Sequence, residues 1–262
     1  MTARHVQIGD CRLYLADCLS VLPTLGRVDA CITDPPYGVT ALEWDRRLDG
    51  WEQLIDSPHL WCFGSFRYFM DFRPNGWKYA QEVVWEKHNG SNNHADRFRR
   101  VHELAVHFYR GNWADIHKET IYTHDATART VRRKARPPHF GNIGASSYAS
   151  EDGGPRMMRS VIYAASCHGE AEHPTQKPVA IISPLVQYSA PPGGTVLDPF
   201  MGSGTTGVAC AKLGRRFIGI ELDPGYFDVA CRRIEDAYSQ PELPIEPRKP
   251  PEEQSTLEFT AA

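Results

Sequence analysis

Two short phrases carry the residue types that can do chemistry. The first is Asp34-Pro35-Pro36-Tyr37, which follows the apolar run Val28 to Thr33. A carboxylate, a backbone carbonyl that no proline N–H competes with, and an aromatic ring make a clamp for a flat ring bearing an exocyclic amine. Such an amine is a weak nucleophile because its lone pair is delocalised into the ring. Asp34 accepting one amino hydrogen and the Pro35 carbonyl the other would draw the nitrogen toward tetrahedral geometry, in a turn whose φ the prolines fix. Tyr37 can stack on the ring, an interaction worth about 1–3 kcal/mol per base. The plainer reading of these four residues is a surface turn that ends a strand.

The second phrase is Asp198-Pro199-Phe200-Met201-Gly202-Ser203-Gly204, again after an apolar run. Gly202 to Gly207 fits G-x-G-x-x-G, and Glu221 stands seventeen residues past Gly204 at the end of the next apolar segment. Glycines let a backbone approach a ligand closely, and an acid at the second strand end can accept hydrogen bonds from both hydroxyls of a ribose. The pattern also describes an ordinary tight strand-to-helix connection. Among ligands, a dinucleotide as in an NAD dehydrogenase is one candidate. Asp198 argues for another, because a carboxylate faces a pyrophosphate unfavourably but can meet the amino group of a sulfonium ligand such as S-adenosylmethionine.

Taken together, the two phrases, the stretch LGRRFIGIEL after the second and HPTQKP before it resemble the β group of amino-DNA methyltransferases, from about Asp17 to Arg233. The resemblance implies S-adenosylmethionine as cofactor, S-adenosylhomocysteine as product and no metal. It assigns Asp34, Pro35, Pro36 and Tyr37 to catalysis. It assigns Phe200, Gly202, Ser203, Gly204, Thr205 and Glu221, with Asp198, to the cofactor, Thr175 and Lys177 to the methionine carboxylate and Asp17 to the adenine. Lys177 also reads as an ordinary surface lysine. In this family Asp at the first motif position occurs more often with adenine-N6 activity, and Ser with cytosine-N4. The expectation is therefore adenine-N6 methylation of duplex DNA by direct displacement, needing no cysteine nucleophile. A base inside a duplex must first be flipped out, at a cost of a few kcal/mol. An N4-cytosine or RNA methyltransferase of the same design is the alternative, with the dehydrogenase more remote.

The net charge of -3 announces no polyanion partner, but its distribution is uneven. Between Lys87 and Arg159 there are thirteen Lys and Arg against seven Asp and Glu. Arg129, Arg132, Arg133, Lys134 and Arg136 form the densest run. With Arg97, Arg99 and Arg100, and Asn92 and Asn93 beside them, these are the candidate DNA contacts. A solvated basic face is the alternative.

The elements that must position these residues are alternating. Strands are predicted at Val28 to Thr33, Leu60 to Phe63, Gln81 to Trp85, Leu104 to Tyr109, Thr195 to Leu197 and Phe217 to Ile220. Helices are predicted from Asp17 through Leu25, over Ser65 to Phe72, from Pro178 to about Ser189, over Thr205 to Leu213, and after the Asp223 cap with Phe227, Ala230 and Ile234 on one face. The fold class is α/β, a doubly wound, mostly parallel, Rossmann-like sheet in permuted order with an inserted target-recognition region. In the family fold the strands ending at Asp34 and Asp198 lie side by side and their loops meet at the switch point. The expected divisions are 1–110 for the catalytic part, 111–168 for the target-recognition insert, 169–239 for the cofactor-binding part and 240–262 for a loose tail. Seven cysteines, odd in number and without C-x-x-C spacing, read as reduced core residues. Neither a membrane span nor a signal-peptide core is visible, so a cytoplasmic, nucleoid-associated, bacterial or phage-like protein is expected, without a membrane partner. The resemblance also allows a homodimer.

Overall fold

The hydrophobic alternation of the predicted strands is realised in one sheet with helices on both faces. The computed structural model describes residues 4–38, 46–91, 96, 98–133, 146–167 and 176–239. In chain order the strands are β1 (Arg4–Ile8), β2 (Cys11–Leu15), β3 (Ala30–Thr33), β4 (His59–Gly64), β5 (Lys78–Ser91), β6 (Arg100–Tyr109), β7 (Tyr122–Thr123), β8 (Arg129–Arg133), β9 (Ser146–Ser150), β10 (Arg156–Met157), β11 (Val161–Tyr163), β12 (Thr195–Asp198) and β13 (Arg216–Glu221). The helices are α1 (Cys18–Val21), α2 (Phe66–Asp71), α3 (Val179–Ser189), α4 (Thr205–Lys212) and α5 (Pro224–Ser239). Among the described residues the main sheet has nine strands in the order β1-β2-β13-β12-β3-β4-β6-β5-β11.

The centre of this sheet is parallel and carries the site. β12 pairs with β3, Val196 opposite Ala30 and Leu197 opposite Cys31, and from there the sheet grows through β13 and β2 on one side and β4 on the other. β6 returns antiparallel beside β4. The starts of β3 and β12 are also fastened directly, since the Thr195 N–H donates to the Asp29 carboxylate at 2.7 Å and the Asp29 N–H to the Thr195 carbonyl at 2.9 Å. The two strand ends therefore emerge together, as the doubly wound order requires.

Period-2 alternation sends side chains to two separate cores. Ala30, Ile32, Trp61, Phe63, Val196 and Phe217 face α3, α4 and α5, where Ile181, Val186, Ala209, Phe227, Ala230 and Ile234 are buried. Cys31, Leu60, Cys62, Leu197 and Ile220 face the other way, toward Cys18, Val21, Trp51 and Tyr68. α4 sits close enough to α5 that a Cβ on Gly207 would come within 2.4 Å of Ile234 Cδ1 and 2.9 Å of the Phe217 ring. Glycine at that position lets the helix after the second phrase press onto its neighbours.

Several elements differ from expectation. The helix expected from Asp17 through Leu25 is α1 followed by a 3-10 turn at Leu22–Thr24, where Pro23 offers no N–H to continue an α-helix. Pro178 stands just outside α3 with an extended ψ of 139°. The hairpin of β1 and β2 was not foreseen: it turns at Gly9, whose φ is +52°, and its β1 is mostly exposed. The insert expected over 111–168 carries no predicted strand, yet β8 pairs with β9, β7 with β10, and β11 adds to the main sheet beside β5. These strands have two to five residues and several are exposed on both faces, so no apolar alternation marks them. All seven cysteines are free, five of them buried. Among the described residues no helix is long and apolar enough to cross a membrane, and no three metal-binding side chains cluster.

At the opposite end of β4 from the first phrase lies a buried histidine pair. His59 Nε2 donates to the His117 carbonyl at 2.8 Å, which makes its Nδ1 the acceptor for His107 Nε2–H at 2.9 Å. That tautomer leaves His107 Nδ1 a buried acceptor without a partner, stacked under Trp61. Burial pushes His59 down to about 4 and His107 to about 3, the latter also through His59. Both unfolded imidazoles take up protons near pH 6.5 while the folded ones stay neutral. The stability they allow is thus complete above that pH and is lost as pH falls toward 4, with a slope of about 1.4 kcal/mol per pH unit for each histidine. Between pH 6.5 and 5 the buried Asp198 carboxyl, raised to about 7, titrates with the opposite sign, so the histidine slope is read as a difference: urea unfolding of wild type should lose more stability per pH unit across this window than a His59→Gln, His107→Phe double variant, and equal slopes would refute the assignment.

Candidate active site

The turn after β3 and the loop after β12 wall one cavity of about 450 Å³, within the range of small-ligand sites. Asp34, Pro35, Pro36 and Tyr37 line it from one side. Asp198, Phe200, Gly202, Ser203 and Thr205 line it from the other, and Asp17, Glu221 and Lys177 are also in its wall. Gly204 is not in the wall. Its φ is +76° and a Cβ there would meet Ala230 Cβ at 2.8 Å, so it serves the loop-to-helix turn and the packing of α4 on α5. Thr175 lies outside the described residues.

Asp198 is the most constrained of these side chains. Its Oδ1 accepts from Thr33 Oγ1 at 2.7 Å and from the Phe200 N–H at 3.1 Å, and its Oδ2 accepts from Thr206 Oγ1 at 2.8 Å. Burial nevertheless pushes its carboxyl up to about 7 against the pull of those three donors. Thr33 directly precedes Asp34, so this carboxylate ties the two phrases together. Little of it is left for a ligand's amino group, the partner expected from the sequence. Glu221 holds the loop in a similar way, accepting from the N–H groups of Gly202, Leu222 and Asp223, each at 2.9 Å. Burial raises its carboxyl despite those donors. Asp17 caps α1 through Leu19 N–H at 2.9 Å. Arg233 donates to Ser203 Oγ at 2.8 Å and to Thr205 Oγ1 at 3.2 Å, and Ser203 Oγ donates to Gln176 at 3.3 Å. The Phe200 ring meets fully buried Trp51 edge-on at 5.2 Å.

Around Asp34 the charges form a chain. Tyr37 OH donates to its Oδ1 and Lys177 Nζ to its Oδ2. Lys177 also lies 3.6 Å from Glu103 Oε2, and Lys87 Nζ holds Glu103 Oε1 at 2.7 Å. Lys177 is 8% exposed, so the surface-lysine reading is excluded. Burial raises the Asp34 carboxyl, with Lys177 opposing and Glu103 adding to the rise. Burial works against the Lys177 charge, but Asp34 and Glu103 hold its pKa above the ordinary value. Burial likewise opposes ionisation of Glu103, which Lys177 and Lys87 hold below its ordinary value. Tyr37 is propped edge-on by Tyr68 at 5.0 Å, and burial raises its phenol well above normal.

Sequence reasoning missed Thr33, Thr206, Glu103, Gln176 and Arg233. Thr33 and Thr206 flank the two phrases, and a hydroxyl beside a buried acid was a usable signal. Glu103 gave a fainter one, an acid at the head of the apolar run Leu104 to Tyr109.

The arrangement suits an adenosine ligand with a cationic centre. Acidic side chains are among its lining, Phe200 and Ile220 are apolar, and the first glycine, Gly202, brings backbone to the surface. Of the basic candidates, Arg99 and Arg100 are exposed, Arg99 donating to the Gly90 carbonyl at 3.0 Å. Arg129 donates to Tyr148 OH at 2.8 Å across the β8 and β9 hairpin, and Arg132 is exposed. Only the backbone is described for Arg133, and Arg97, Lys134 and Arg136 lie outside the described residues, as do Asn92, Asn93 and 240–262.

Comparison with known proteins agrees with this geometry. The DNA methylase family of the N6/N4 type matches residues 28–232. The type II methyltransferase M.HinfI of Haemophilus influenzae is 26% identical over 279 residues, 90% of this chain and 73% of that one. The type II methyltransferase M2.DpnII of Streptococcus pneumoniae is 30% identical over 193 residues, 70% of this chain, which spans 63% of the relative's length. The crystal structure of an M1.HpyAVI–SAM complex superposes with a TM-score of 0.58 at 27% identity, covering 86% of this chain and 98% of that one.

The Thr33 to Asp198 hydrogen bond is directly testable. Thr33→Val removes one of three donors from a buried carboxylate, at a cost of about 1–3 kcal/mol of stability. It should also move the Asp198 carboxyl titration, followed by ¹³C NMR, upward from about 7. An unchanged midpoint would show that this bond does not govern the charge.

Proposed function

The chain belongs to the N6/N4 DNA methylase family, and on that premise we propose that it methylates the exocyclic N6 of adenine in duplex DNA. It is an S-adenosylmethionine-dependent DNA methyltransferase acting on adenine or cytosine. The observation that supports methyl transfer to an exocyclic amine is the shared cavity: the clamp at Asp34 and the loop at Gly202 wall the same space. The choice of adenine rests on Asp at the first position of Asp34-Pro35-Pro36-Tyr37, by the family bias.

In this reading Asp17, Phe200, Gly202, Ser203, Thr205 and Glu221 hold the cofactor. When bound, S-adenosylmethionine supplies an electrophilic methyl carbon, whose bond to sulfur breaks with the electron pair left on sulfur. Asp34 and the Pro35 carbonyl accept the two amino hydrogens and so localise the nitrogen lone pair, while Tyr37 holds the ring by its face. The nitrogen gains a methyl group and must shed one proton. In this reading Asp34 takes it, which the burial that raises its carboxyl supports by making it the better base. Asp198 keeps the two walls in register through Thr33 and Thr206.

The basic segment offsets the cost of base flipping by binding phosphates. Arg129 and Arg132 lie on β8, whose hairpin with β9 carries much of the surplus charge.

Transfer of labelled methyl from S-adenosylmethionine to unmodified DNA, followed by nucleoside analysis, should put the label in N6-methyladenine. Label in N4-methylcytosine would transfer the assignment to the second base. Asp34→Ala should lower the rate by about 10²-fold or more, as when a preorganised polar group is removed from a reacting centre, and leave cofactor affinity nearly unchanged. An equal loss of cofactor affinity would count against its role on the amine. Replacing Arg129 and Arg132 with Ala should weaken DNA binding and reduce the salt slope by about 0.9 for each phosphate that is no longer neutralised. An unaltered slope would remove these two side chains from the interface.

A further inference from the structure

The charge chain leaves one problem for the proposed reaction. A substrate amine needs the Oδ2 side of Asp34, yet the Lys177 ammonium sits there and neutralises the charge that should draw the amino hydrogen. We propose that Lys177 is a movable cover on Asp34 and that Glu103, on β6, is the seat to which it moves when the target base enters. The inference rests on the methyltransferase reading above and adds a positioning residue to it.

Three observations support it. Glu103 Oε2 is buried, lies 3.6 Å from Lys177 Nζ and accepts no hydrogen bond, whereas Oε1 is already occupied by Lys87 at 2.7 Å. A buried carboxylate oxygen left open is costly, so its retention beside a lysine calls for an occupant. Reaching ordinary N–H···O distance takes a shift of under about 1 Å, and because that alone leaves the ammonium near Oδ2, a swing of about 2 Å around Glu103 clears Asp34, within the reach of a flexible four-carbon stem. The ammonium starts beside the Phe63 ring, 5.5 Å from its centroid, an apolar face that does not compete for it with a second anion. Burial opposes the Glu103 charge, but Lys177, then Lys87 and Arg100, hold its carboxyl below the ordinary range, so it is an ionised seat for the lysine.

The base then displaces one cation from Asp34, and the positive charge is kept in the site instead of being expelled to water. Lys177 on Glu103 leaves both Asp34 oxygens able to face the amine, with Tyr37 still orienting Oδ1. Without the seat, uncovering Asp34 would strand a buried ammonium.

The test uses single-turnover methyl transfer by the full chain at saturating S-adenosylmethionine and DNA. Glu103→Gln and Glu103→Leu should each slow the step by roughly tenfold or more while cofactor and DNA dissociation constants change by less than about threefold. In a Lys177→Met background, where there is no cover to move, the same changes should add less than about twofold. Equal losses in both backgrounds, or a Glu103→Gln rate equal to wild type, would overturn the inference. If Lys177→Met fails to fold or to bind cofactor, a cocrystal with sinefungin and the DNA that serves as substrate decides. Lys177 Nζ within hydrogen-bond distance of Glu103 Oε2 supports the move, and Lys177 still on Asp34 with the base in place refutes it. Wild-type protein that transfers no label to any DNA would instead sink the underlying reading, which keeps the two failures distinct.

Discussion

One buried carboxylate holds the site together. Asp198 ends β12, and its oxygens take hydrogen bonds from Thr33 at the end of β3 and from Thr206 in α4. Parallel strands set side by side bring their carboxyl ends near each other, but they do not lock the loops that follow. The Asp198 bonds do, because a buried carboxyl deprived of its donors pays a desolvation cost that no water is there to relieve. The same residue that closes the glycine loop therefore fixes where Asp34 begins.

Electrostatics in the cavity follow from that placement. Bringing Asp34, Asp198 and Glu103 into one poorly hydrated space would be unfavourable without cations, and Lys177 and Lys87 provide them. The result is a chain of charges in which each carboxylate is held by a neighbour, with Glu103 Oε2 the open acceptor. Such a chain is stiff where its members are fully satisfied and adjustable where one acceptor is open. The antiparallel return of β6 beside β4 is what carries Glu103 to the cavity. A purely parallel sheet in the same order would place a different strand end there.

The central strands were legible because burial on both faces demands continuous apolar runs. Val28 to Thr33 and Phe217 to Ile220 fit that demand, and β3 and β13 form there. The α5 face of Phe227, Ala230 and Ile234 was legible for the same reason, and all three are fully buried. The hairpin of β1 and β2 and the short strands β7 to β11 were not. The residues of β1 and of β7 to β11 are mostly exposed or paired over a few positions, so backbone hydrogen bonding and not side-chain burial defines them, whereas β2 buries Cys11 and Leu13 in a run of five residues too short to stand out.

Sequence by itself determined the chemistry on offer: a carboxylate, a proline turn and a ring at 34–37, a glycine loop and an acid at 198–221, and the order in which they occur. Those are local matters of residue type and spacing. Only the tertiary structure decided that Lys177 is buried on Asp34, that Gly204 faces Ala230 and not the cavity, and that Glu103 belongs to the site at all. Each of these depends on packing between residues far apart in the chain, and the partner of a charge or the side of a glycine is set by neighbours that no local pattern encodes.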